Sequence, residues 1–145
     1  MLEENTDLFA PEPRVFSYMP ENSRLLRVLV VDDELLIRWS IAETLTRSGH
    51  QVQQAADGAS ALTTLQNARE PIDAVILDYR LPDSNDFELL SKIRQLSPKS
   101  PVILITAHGS ADIMHGAMNL GVYAVVAKPF DVNELRNLLH VACAR

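Results

Sequence analysis

Asp73-Ala74-Val75-Ile76-Leu77-Asp78-Tyr79-Arg80-Leu81-Pro82 is the segment around which the rest of the chain is organised. Ala74 to Leu77 is a short, continuous apolar run rich in β-branched residues. Such a run reads as a strand buried on both faces, as in a parallel sheet. Asp78 follows at once. A carboxylate at the carboxyl end of such a strand sits at the mouth of the sheet, where open α/β folds place their chemistry. Pro82 stops strand pairing and turns the chain. Taken alone, Asp78 reads equally well as a turn residue that merely ends the strand. The other strand ends decide between the two.

Working outward, Arg27–Val31 is a first strand with Val28-Leu29-Val30-Val31 at its core, and it runs into Asp32-Asp33-Glu34. Acids in a first helical turn suit the macrodipole, so this triplet also has a purely structural reading. The following helix runs to about Ser48, with Ile37, Ile41 and Leu45 on one stripe, and Gly49 closes it. Gln51–Ala55 is a weak second strand and Gly58–Ala68 a second helix. Beyond Pro82, Phe87–Leu96 is a third helix, with Phe87, Leu90 and Ile93 facing in and Asn85 as its cap. Pro101–Ile105 is a fourth strand, and Ser110 to Leu120 a fourth helix stopped by Gly121. Val122–Val126 is a fifth strand, and Asp131 caps a last helix reaching Ala142. A β-α unit repeated five times with short connections predicts an α/β fold: a parallel sheet with helices on both faces and right-handed crossovers.

The 145 residues suffice for one domain with a real core. The net charge of -6 and the lack of a basic stripe argue against direct nucleic-acid binding. The one cysteine, Cys143, cannot close an internal disulfide, and no Cys/His cluster has zinc spacing. No apolar run reaches the ~18 residues of a membrane-spanning helix. Glu3, Glu4 and Asp7 stand where a signal peptide would be basic, so a cytoplasmic location is expected and no membrane partner. Residues 1–24 carry Pro11, Pro13 and Pro20, several acids and no steady period, which reads as a flexible extension ahead of a domain over 25–145. Leu8, Phe9, Val15, Phe16 and Tyr18 leave a second reading, a short docking segment.

Four strand ends carry a coherent set: Asp32 and Asp33, Asp78, Thr106, and Lys128. In a parallel sheet all point to one edge. Three carboxylates at one mouth repel unless a cation cancels them. Magnesium is the natural choice, because it takes oxygen ligands and keeps waters. Lys128 adds fixed positive charge and Thr106 a hydroxyl donor. Ala107 is small enough for a ligand to approach its backbone N–H. Together these groups could receive and hold a phosphoryl group on an Asp carboxylate. Spacing alone leaves several phosphate chemistries open.

Val28-Leu29-Val30-Val31-Asp32-Asp33-Glu34, Leu77-Asp78-Tyr79-Arg80-Leu81-Pro82, Ile105-Thr106-Ala107 and Ala127-Lys128-Pro129-Phe130 resemble, in order and spacing, the motifs of the receiver domain of bacterial two-component response regulators. The resemblance covers about Leu26 to Ala142. Ile105-Thr106-Ala107-His108-Gly109 and Lys128-Pro129-Phe130-Asp131 look most like receivers of the enhancer-binding, NtrC-like activators. The resemblance implies a flavodoxin-like, doubly wound sheet of five parallel strands in the order 2-1-3-4-5. It implies that Asp78 is the phosphoacceptor, supplied by a sensor histidine kinase or a histidine phosphotransfer protein. Asp33 and Asp78 would bind magnesium, Asp32 largely through water, with the backbone carbonyl of Arg80 completing the protein ligands. Lys128 would pair with Asp78 and then with the phosphoryl oxygens, across a cis bond to Pro129. Thr106 would move toward the phosphoryl group and reset the surface of the fourth helix, fifth strand and fifth helix, which would meet a target or a second copy. Such a chain is a signalling domain, not a turnover enzyme.

Two places depart from the family pattern. Val125 stands three residues before Lys128, where many receivers carry an aromatic residue, and Tyr123 lies two residues earlier. Asn85-Asp86 stands where an Asp-Gly pair is usual, which narrows the allowed backbone there.

Leu35, Leu36 and Trp39 fall on a side of the first helix away from Ile37, Ile41 and Leu45, and are neighbours on it. Exposed Leu and Trp beside the site suggest a groove for the phosphodonor's helices. The alternative is that Trp39 folds back on the domain's own edge. His50, His108, His115 and His140 fit no metal or relay spacing and read as surface or loop residues, and Cys143 as incidental. Other functions remain: a pseudo-receiver acting as an interaction module, a haloacid-dehalogenase-like phosphatase, or a flavodoxin-like cofactor binder. The phosphatase would place a second carboxylate two residues after its nucleophile, where Arg80 or Leu35 stands. The cofactor binder would need a Ser/Thr/Gly-rich phosphate loop after the first strand, where Asp32-Asp33-Glu34 would repel phosphate.

Overall fold

The structure is a computed structural model and describes residues 25–144. The expected extension over 1–24 lies outside the described residues. Five strands and five helices alternate: β1 (Arg27–Val31), α1 (Leu35–Arg47), β2 (Gln51–Ala55), α2 (Gly58–Asn67), β3 (Ala74–Asp78), α3 (Glu88–Leu96), β4 (Val102–Thr106), α4 (Ala111–Asn119), β5 (Ala124–Ala127) and α5 (Val132–Ala142). All strand pairings are parallel, and the order is β2-β1-β3-β4-β5.

The three central strands are the apolar runs. Every residue of β3 and β4 is buried, as are Val28 to Val31 of β1. Side chains alternate across a strand, so these runs feed two cores. Leu29, Val31, Val75, Leu77, Val102 and Leu104 pack with Ala61 of α2, Leu89, Leu90 and Ile93 of α3 and Ala117 of α4. Val28, Val30, Ile76, Ile103 and Ile105 pack with Ile41 and Leu45 of α1 and Leu135 and Leu139 of α5. The edge strands differ: β2, QVQQA, buries only Ala55, and β5 is half-buried.

The ends of the elements follow local chemistry, with small differences from expectation. Ser110 and Asp131 cap α4 and α5 through side-chain bonds to Ile113 N–H and to Asn133 and Glu134 N–H. Gly49 and Gly121 take φ of 93° and 87° after α1 and α4, a region open to glycine at little cost. Asn85 does not cap α3. The helix begins at Glu88, and the Asp86 carboxylate accepts the Glu88 N–H. The fifth strand starts at Ala124 rather than Val122.

The reading of the histidines needs correction at two positions. His50 is buried, and its Nε2 lies 2.8 Å from Nε2 of His140. The two rings meet edge-on at 74°. Cys143 is likewise buried among the residues under α5. The chain separation of the pair is 90 residues, so no local pattern could announce it.

Candidate phosphoryl-acceptor site

Successive strands are added on opposite sides of β1, β2 on one side and β3 on the other, so the order of winding switches there while every strand runs the same way. A crevice opens at such a switch point, outside the carboxyl ends of the strands. Asp32 follows β1 and Asp78 ends β3, so adjacent strands deliver both carboxylates to it. Thr106 ends β4 and pairs in register with Ala127, which places Lys128 one residue beyond.

Asp32 and Asp78 are buried and Asp33 is exposed, and carboxylate oxygens of all three lie within 4.8 Å of one another. Lys128 is the cation among them. Its Nζ lies 3.1 Å from Asp78 Oδ2, 3.2 Å from Asp32 Oδ2 and 2.6 Å from Glu34 Oε1. The Lys128–Pro129 peptide bond is cis. Asp78 Oδ1 accepts the Arg80 N–H at 3.3 Å, so the chain wraps back on the carboxylate directly after β3. Asp32 Oδ1 accepts the Glu34 N–H, and Arg38 donates to the Asp32 carbonyl.

Burial, and then the charge of Asp32, raise the Asp78 pKa to about 6, against the bond from Lys128. Burial works against the Lys128 ammonium, but its bonds to Glu34 and Asp78 hold its pKa above the ordinary lysine value. One cation does not satisfy this cluster. Asp32 Oδ2 is fully buried and, although ion-paired to Lys128, accepts no hydrogen bond. A buried carboxylate oxygen in want of a partner, beside two further carboxylates, fits a hard oxygen-seeking cation such as magnesium.

Thr106 is buried, but its hydroxyl is committed to its own loop. It donates to the His108 carbonyl at 3.2 Å and accepts the His108 N–H at 3.1 Å. Ala107 is exposed and lines a groove of about 520 Å³ with Glu34, Leu36, Ile37, Lys128, Pro129 and Phe130. Leu35, Leu36 and Trp39 are 64%, 78% and 55% exposed. Trp39 therefore does not fold back on the domain's own edge.

Two site contacts had no clear sequence signal. Glu34, which reads as a first-turn acid, makes the shortest contact to Lys128. Asp83 ties the loop after β3 to α2 by accepting the Gly58 and Ala59 N–H groups at 2.8 and 3.0 Å. Those bonds hold its carboxyl below the usual range. Val125 packs against the core and Tyr123 is exposed at 42%.

The profile of the response regulator receiver domain matches residues 28–140. The chain is 34% identical over 111 residues to sporulation initiation phosphotransferase F of Bacillus subtilis, covering 77% of this chain and 88% of that protein. It is 38% identical over 116 residues to the response regulator protein PilR of Pseudomonas aeruginosa, covering 80% of this chain but only 26% of PilR. Among solved structures it is similar to the CheX-CheY-BeF3-Mg complex from Borrelia burgdorferi. That match has a TM-score of 0.76 and 26% identity, covering 83% of this chain and 90% of that one.

Proposed function

The chain belongs to the response regulator receiver domain family, the phosphorylatable signalling domain of two-component systems, and on that premise we propose that Asp78 is its phosphoacceptor. The observation that carries this reading is Asp78 itself. It is a buried carboxylate at the switch-point crevice, 3.1 Å from a lysine ammonium and clustered with Asp32 and Asp33. An Asp78 oxygen attacks phosphorus, and the bond from phosphorus to the donor's imidazole nitrogen breaks. The nitrogen keeps the electron pair, and an acyl phosphate forms. Attack by water later releases inorganic phosphate and restores the carboxylate.

Lys128 shifts from Asp78 Oδ2 to the phosphoryl oxygens and orients them. The Ala107 N–H donates to one of those oxygens. The Thr106 hydroxyl leaves His108 and turns to the phosphoryl group, drawing the loop after β4 with it. That movement is the two-state element by which the α4, β5 and α5 surface changes. Met114, Met118 and Tyr123, exposed on and beside α4, supply apolar area there for a target or a second copy. Magnesium, held by Asp32, Asp33, Asp78 and the Arg80 carbonyl, would neutralise charge on the phosphoryl group.

Receiver domains work with histidine kinases or phosphotransfer proteins. Leu36 lines the Lys128 groove, and Leu35 and Trp39 are exposed near it on the same helix, which suits a histidine-bearing helical partner. Trp39→Ala is expected to slow phosphotransfer from that partner about tenfold, as loss of an aromatic anchor does. An unchanged transfer rate overturns the docking role. The chain spans about a quarter of PilR's length, and control of a transcriptional output is part of the proposal. No helix among the described residues is long and apolar enough to cross a membrane; a cytoplasmic site of action is part of the proposal.

The deciding experiment is incubation with acetyl phosphate, with and without magnesium, read by intact mass. Gain of one phosphoryl group that requires magnesium supports the phosphoacceptor reading. No gain with magnesium, from acetyl phosphate or from a phosphorylated histidine protein, favours the pseudo-receiver.

A further inference from the structure

At the edge of the sheet opposite the phosphoryl site, three distant segments meet in one hydrogen-bonded chain. The Leu26 N–H, just before β1, donates to His50 Nδ1 at 3.0 Å. His50 heads β2, and its Nε2 lies 2.8 Å from Nε2 of His140, on the last turn of α5. One protonation pattern satisfies both bonds. A ring nitrogen that accepts must carry a lone pair, so Nδ1 of His50 is bare and its proton is on Nε2. His50 Nε2–H then donates to a bare Nε2 of His140, whose own proton is on Nδ1.

We infer that the His50–His140 pair is a proton-operated clasp that fastens the end of α5 to the start of β1 and β2, fully closed when both imidazoles are neutral and deprived of one of its two bonds when either takes a proton. A charged His140 carries a proton on Nε2, which faces the Nε2–H of His50. A charged His50 carries one on Nδ1, which faces the Leu26 N–H. Each case sets two donors against each other, so no charged state keeps both bonds. A transition metal is disfavoured at the pair for the same reason, because His50 Nε2 holds its proton while Nδ1 accepts.

The surroundings favour the closed form near neutral pH. Burial, then the neighbouring His140, lower the His50 pKa, and Asp73 opposes them. Burial, then Arg136 one turn earlier in α5, lower that of His140. The Asp73 carboxylate is engaged by the Arg27 N–H at 2.8 Å. The Arg27 side chain faces Gln51 and Glu70, and on α1 Glu43 and Arg47 pair with each other. Cys143, three residues beyond His140, donates its thiol to the Asp73 carbonyl. The clasp lies away from Asp78 and does not depend on the phosphoacceptor reading.

The test is nuclear magnetic resonance on the whole chain, from about pH 8 to about pH 5, the range in which imidazoles titrate. At the upper end the ring nitrogens of His50 should report the Nε2–H tautomer and those of His140 the Nδ1–H tautomer. As the imidazoles charge, the protection of the Leu26 amide against exchange should fall by about tenfold or more, together with that of the last turn of α5. In His50→Asn, where the amide oxygen can accept the Leu26 N–H and cannot titrate, Leu26 protection should lose this dependence. An Nδ1–H tautomer at His50, or Leu26 protection unmoved while the imidazoles charge, overturns the clasp. So does a His50→Asn protein that still responds like wild type.

Discussion

Asp78→Asn is expected to take no phosphoryl group under conditions that label the wild type, and to be more stable than the wild type in the absence of metal. The first result follows from chemistry: an amide oxygen is a poor nucleophile and carries no charge with which to form an acyl phosphate. The second follows from linkage. The folded protein raises the Asp78 carboxyl from 3.8 to about 6. In that interval the folded chain holds a proton that the unfolded chain releases, so stability falls as pH rises through it. Above the window the ionised side chain costs the fold about 3 kcal/mol, and asparagine removes most of that cost. Urea unfolding of both proteins in chelator, at about pH 4, 5, 6 and 7, measures it. The gain from Asp78→Asn should be smallest at the acid end and level off above about pH 6. His50 and His140, whose pKa values are lowered, act in the opposite sense, losing stability as pH falls through the imidazole range. They do so in both proteins, so the difference isolates Asp78. A variant that still gains phosphate would move the acceptor elsewhere, and one with no gain in stability would mean that Asp78 is not repelled in the fold.

Lys128→Met should produce the second large effect. Methionine keeps most of the apolar stem and removes the charge that Asp78, Asp32 and Glu34 share. Removing one partner from a buried ionic cluster leaves the others uncompensated, at a cost of about 3 kcal/mol. The Asp78 carboxyl then relieves the strain by holding its proton to still higher pH, which leaves less nucleophile at neutrality. Its phosphoryl oxygens also lose their fixed cation, so the rate of phosphorylation by acetyl phosphate should drop about a hundredfold. Lys128→Arg separates the two roles. It retains the charge and should keep most of the stability. Its wider planar head cannot occupy the place of a point-like ammonium between three carboxylates, so phosphorylation should stay slow. Initial rates at saturating magnesium, read beside metal-free unfolding, distinguish loss of chemistry from loss of fold.

Much of this architecture is legible along the chain because its signals are local. The runs Val28–Val31, Ala74–Leu77 and Val102–Ile105 are too short and too apolar for anything but strands covered on both faces, and all are fully buried. The helical stripe between each strand and the next forces parallel pairing, and parallel pairing alone brings the ends of β1, β3, β4 and β5 to one edge. The order of elements alone therefore places Asp32, Asp78, Thr106 and Lys128 together. The edges of elements were less legible. Asn85 reads as a cap, but the bond to the first free N–H of α3 comes from Asp86, a choice set by how the loop after Pro82 folds toward α2.

The order of elements, the parallel sheet and the identities of the residues at its mouth follow from local pattern, because burial periodicity and strand ends are properties of neighbours in the chain. Packing of the whole fold sets the rest: Glu34 holds Lys128 at 2.6 Å, the Thr106 hydroxyl turns into its own loop, and Asp32 Oδ2 is left buried without a hydrogen bond. The same holds for the clasp. His50 and His140 belong to a strand head and a helix end that meet because Ile41 and Leu45 of α1 and Leu135 and Leu139 of α5 must cover one face of the sheet. Hydrogen-bond partners are set by where packed elements come to rest, and that depends on the whole core at once.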